Sequence, residues 1–134
     1  MDKDIQSLLE TYPEPARRYL LQIRDMILDI ADEESLGSIT ESLKWGEPSF
    51  ASKKGSPIRM DWKAKHPNAV SIFFNCKTTL VEISKEIYGS AFQFVGNREI
   101  VIPIDQPLPT QELRGCLTMA LRYHELKHLP LLGA

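Results

Sequence analysis

The chain has 134 residues, of which 43% are apolar and 25% charged, with a formal net charge of −2. That length suits one domain spanning residues 1–134, with a core that needs no staples. The near-balanced, slightly acidic charge excludes a general electrostatic pull toward nucleic acid or an anionic membrane.

Asp2 to Glu10 reads as a short first helix. A long helix follows in YPEPARRYLLQIRDMILDIADEE: Pro15 suits its first turn, and Ala16, Tyr19, Leu20, Ile23, Ile27 and Ile30 fall on one face. Gly37 is a stop signal. Ser38 and Glu41 then form an S-x-x-E capping box, which predicts a second, short helix. It ends by Gly46 and Pro48, where the chain turns to strand. At that corner Trp45 is expected to anchor the core, whereas Glu47 has no evident structural duty.

Three strands follow. Ser49 to Ser52 and Ile58 to Trp62 flank a turn at Lys53 to Ser56. Asn68 to Phe74 is apolar on both faces, which predicts a central position. Thr79 and Glu82 make another capping box, opening a short helix that ends near Gly89. FQFV-GN-REIVIPI reads as a hairpin about the two-residue turn Gly96-Asn97, and Pro103 marks an edge or an end. The last helix follows Pro109, with Thr110 as N-cap. Its apolar face is Leu113, Leu117, Ala120 and Leu121, continued by His124 and His128. The fold class is therefore α+β: an antiparallel sheet of about five strands, with long N- and C-terminal helices on one face.

Cys76 and Cys116 are far apart and form no CxxC pair, so they read as reduced buried thiols. The acidic start MDKDIQSLLE has no basic and apolar leader pattern, and no run approaches the roughly 20 apolar residues of a membrane span. A cytoplasmic protein, monomer or homodimer, is expected.

Three constellations could carry chemistry. His124-Glu125-Leu126-Lys127-His128 matches HExxH, in which two histidines hold zinc and the glutamate acts as base. The following LPLLGA supplies no third ligand, and no upstream ligand has a signature, so a zinc hydrolase ranks last. Asp25, Asp29, Asp32 and Glu33 form an acidic side of the long helix, where oxygen ligands could hold a hard cation or iron weakly. Lys53, Lys54, Arg59, Lys63, Lys65 and His66 surround Trp62, but no nucleic-acid motif accompanies them, and exposed turn lysines are the plainer reading.

The segments YPEPARRYLLQIRDMI, SLKWGEPSF and REIVIPIDQPLPTQELRGCLTMAL, with the tail LRYHELKHLPLLGA, resemble the YdhG-like family of small bacterial domains. The resemblance covers nearly the whole chain. It implies a fold likened to that of frataxin, and with it an iron-binding or iron-delivery role for the acidic helix face. It implies no catalytic residue. The leading expectation is a non-enzymatic domain without a cofactor that binds a small ligand or protein partner. Its candidate site gathers Trp45, Glu47, Tyr123, His124 and His128, at the meeting of two element ends. Nucleic acid and membrane are not expected partners.

Overall fold

A computed structural model describes residues 1–134. The elements run α1 (Lys3–Glu10), α2 (Glu14–Glu33), β1 (Thr40–Lys44), β2 (Glu47–Ala51), β3 (Ile58–Trp62), β4 (Ala69–Phe73), α3 (Leu80–Tyr88), β5 (Gln93–Val95), β6 (Glu99–Pro103), α4 (Thr110–Leu121) and α5 (Tyr123–Leu126). A 3-10 turn, Pro130–Gly133, follows. All pairings in the sheet are antiparallel, in the order β1-β2-β3-β4-β6-β5. The sheet has six strands rather than the expected five.

The extra strand is β1, where the capping box predicted a helix. Glu41 does not cap Ser38; its carboxylate accepts two bonds from Arg24 of α2, at 2.7 and 2.9 Å. Both side chains are largely buried, so this bidentate pair ties β1 to α2. Lys44 pairs with Glu47, leaving Trp45-Gly46 as a two-residue hairpin loop. Both residues have positive φ, 55° and 77°, as a type I′ turn requires. Glycine tolerates that geometry; tryptophan does not do so without cost.

Strand register divides the sheet into two faces. Met60, Ile72, Ile100 and Phe94 stand opposite one another in one row, and α2 and α4 pack over this side. Phe50, Ile58, Met60 and Ile72 are fully buried there. At about 25 cal/mol per Å² of apolar surface, this layer is the main favourable contribution to folding. The central β4 and the burial of Ile100 and Ile102 agree with the sequence. Pro103 ends β6, which is not an edge strand: β5 is. The β5–β6 loop has three residues, Gly96 to Arg98, because Val95 pairs with Glu99. Thr110 is the first residue of α4, and Pro109 occupies the capping position.

The β2–β3 turn closes the far end of α4. Ser52 Oγ donates to the Leu121 carbonyl at 2.6 Å, and Ser56 N to the Ala120 carbonyl at 2.9 Å. These donors satisfy helix-end carbonyls that otherwise lack partners. A Cβ on Gly55 would lie 2.3 Å from the Leu121 carbonyl oxygen, so only glycine permits this approach.

Candidate functional site

The row opposite to the core crosses all six strands as Ser42, Ser49, Arg59, Phe73, Glu99 and Val95. These are the alternate residues of the strands that build the core, so the pleat turns them to the other face. A cleft of ≈ 590 Å³ lies along this face. Thr40, Ser42 and Ser49 contribute hydroxyls to it; Lys44, Arg59 and Arg98 contribute cations. Trp45 and Cys76 also line it. No carboxylate does, although Glu47 joins Trp45, Arg59, Phe73 and Arg98 in an adjoining hollow.

Trp45 was expected in the core. Its side chain is instead 91% exposed, because the I′ turn projects it beyond the end of the sheet. Glu47 has the structural duty that the sequence did not show. It is only 9% exposed and lies 3.5 Å from Arg59 Nη1 and 3.2 Å from Lys63 Nζ. Lys63 also binds Asp61 at 3.2 Å, and the Tyr12 hydroxyl donates to the other Asp61 oxygen. Burial raises the Tyr12 hydroxyl pKa, and that bond to Asp61 raises it further. This network cross-links β2, β3 and the α1–α2 junction.

Arg59 also lies over the Phe73 ring, 5.8 Å from its centroid. Lys44 and Arg98 have no ion-pair partner, in contrast to Arg24, Arg59, Lys63 and Arg114. Ser49 is 3% exposed, and its hydroxyl makes no hydrogen bond within the protein.

The expected five-residue site does not come together. Trp45 and Glu47 stand at one end of β2, and the histidine segment meets the other end, where His124 N donates to the Lys54 carbonyl. Tyr123 packs edge-on to His124 and accepts from Thr79 N at 3.3 Å. His124 and His128 do not continue the α4 face. The helix breaks at Arg122, α5 is a single turn, and both histidines are exposed. HExxH therefore has no continuous helix to present it, and no group of three or more His, Cys, Asp or Glu side chains could hold a metal ion.

Asp25, Asp29, Asp32 and Glu33 are exposed on α2 as expected. Arg114 of α4 bridges two of them, at 2.8 Å to Asp29 and in closer contact with Glu33. The basic residues scatter: Lys53 and Lys54 lie at one end of the β3 hairpin, Lys63 to His66 at the other. Trp62 faces the core side, its ring tilted against that of Tyr12 with centroids 5.2 Å apart, and its Nε1 donates to the Pro67 carbonyl. Cys116 is buried, and burial pushes its thiol up to about 11; Cys76 is exposed, not buried. No helix is long and apolar enough to cross a membrane.

The site residues that sequence reading missed are Ser49, Arg98 and Lys44. Ser49 and Lys44 alternate with core positions, a period-two signal that becomes readable once the register is known.

No family model matches the chain, and no curated protein matches it either. The structure is similar to the crystal structure of YdhG, a DUF1801-family protein from Bacillus subtilis, with a TM-score of 0.61. The two are 14% identical, and the likeness covers 88% of this chain and 89% of that one. The chain thus has the YdhG-like fold that its sequence motifs imply.

Proposed function

We propose that the chain is a cytoplasmic, non-enzymatic domain that binds a small molecule in the cleft on the open face of its sheet. The observation that carries this reading is Trp45. A bulky aromatic residue occupies a left-handed position that glycine or asparagine would fill without strain, and its ring is spent on solvent at the mouth of a cleft. Folding gains nothing from that choice; a ligand would. The volume, 590 Å³, falls within the range of small-molecule sites.

The frataxin-like iron reading has less support. Asp29 and Glu33 are engaged by Arg114, and α2 offers the remaining acids no converging partner. Zinc hydrolysis through His124, Glu125 and His128 has the least.

The test is a screen of small metabolites against the labelled protein, followed by NMR. Trp45 and Trp62 give separate indole N–H signals. The reading predicts hits that move Trp45 and leave Trp62 still. Hits that map only to other surfaces, or a Trp45 signal that no millimolar compound moves, would contradict it.

A further inference from the structure

The chemistry of the cleft narrows its ligand, on the premise that the cleft is the binding site. Three cations line it and no carboxylate does. Lys44 and Arg98 are without counter-ions, and Arg59 meets Glu47 only at 3.5 Å, Glu47 being shared with Lys63. Like charges gathered in one concave site repel, and the field there concentrates anions. Glu47 offsets part of that field in the adjoining hollow, but it is already bound by two cations.

A second observation is independent of charge. The Ser49 hydroxyl lines the cleft and makes no hydrogen bond within the protein. Its proton is free for an acceptor seated in the cleft. The third is shape. Arg59 and Arg98 border the same hollow as Trp45 and Phe73, so an anionic group at the guanidinium pair lies within reach of an exposed aromatic face. Guanidinium forks match carboxylate and phosphate oxygens, and an exposed indole stacks planar rings.

We propose that the cleft takes a planar aromatic molecule bearing a carboxylate or phosphate, the anion held by Arg59, Arg98 and Ser49 and the ring stacked on Trp45. Lys44 adds attraction at the rim. The hydroxyls of Thr40 and Ser42 are placed to accept or donate toward polar groups on the ring.

The experiment titrates benzoate, phenyl phosphate, inorganic phosphate, benzyl alcohol and benzylammonium into the labelled full chain, read at the Trp45 indole N–H. The proposal predicts saturable shifts with benzoate or phenyl phosphate, at least tenfold tighter than with benzyl alcohol or benzylammonium. The stronger of the two anions identifies the acid. Inorganic phosphate is predicted to bind more weakly than phenyl phosphate, for want of stacking. Arg98→Gln is predicted to weaken the aromatic anions by about tenfold, the loss of one charge-assisted bond. Arg98 is exposed and unpaired, so that variant folds as the parent does. Equal binding of benzyl alcohol, or indifference to Arg98→Gln, would overturn the anion assignment while leaving the cleft as a site. Silence of Trp45 toward every probe would overturn both.

Discussion

Met60, Ile72 and Ile100 meet on one side of the sheet, and Arg59, Phe73 and Glu99, one residue away along the same strands, meet on the other. The first row is sealed beneath α2 and α4. The second holds a cleft, unpaired cations and the hydroxyl of Ser49. A slip of one residue would exchange the two rows, so the covered face fixes the register and thereby places every group on the open one. Because the covered face supplies the stability, the open face can retain groups that folding alone would not choose. Trp45 in a left-handed turn and Arg98 without a partner are the plainest cases.

Paired substitutions sharpen the contrast. Phe50→Ala on the covered face should cost about 3–5 kcal/mol, as a large buried ring leaves a cavity. Arg98→Gln on the open face should change stability by less than about 0.5 kcal/mol. Urea unfolding of both variants checks this, and equal losses would break the division between the faces.

The cysteines report the same contrast at smaller scale. The unfolded chain loses the Cys116 proton near pH 9, whereas the folded chain keeps it until about 11. Stability from the protonated thiol is therefore complete below pH 9 and lost as the pH rises toward 11. Two pH units correspond to about 2–3 kcal/mol. Urea midpoints at pH 8, 9, 10 and 11 should fall along that window, and fall less steeply in Cys116→Ala. At pH 8 a thiol reagent should label Cys76 and spare Cys116 until the chain unfolds.

The sequence made the covered face readable and left the open face obscure, for physical reasons. Ile23, Ile27 and Ile30 announce α2 because burial imposes a helical period, and Val70, Ile72 and Phe74 announce a central strand. β1 was hidden because Ser38 and Glu41 imitate a helix start, while the partner that claims Glu41 is Arg24, seventeen residues upstream. Trp45 misled because large aromatic rings usually go inside. Its neighbour Gly46, between two extended runs, was the available hairpin signal. The pairing of Glu47 with Arg59 and Lys63 depends on which strands lie side by side, and no local pattern encodes that. His124 and His128 failed as a pair because the β2–β3 turn binds the end of α4 and breaks the helix between the apolar face and the histidines.

Trp45→Asn tests the central claim most directly. It keeps a two-residue turn of Asn-Gly type, relieves the left-handed strain and removes the exposed ring. Urea unfolding should show a gain of about 0.5–1 kcal/mol, or no change, over the parent chain. A loss of about 1 kcal/mol or more would contradict the account, because it would make the indole a structural part of the fold rather than a group held out for a ligand.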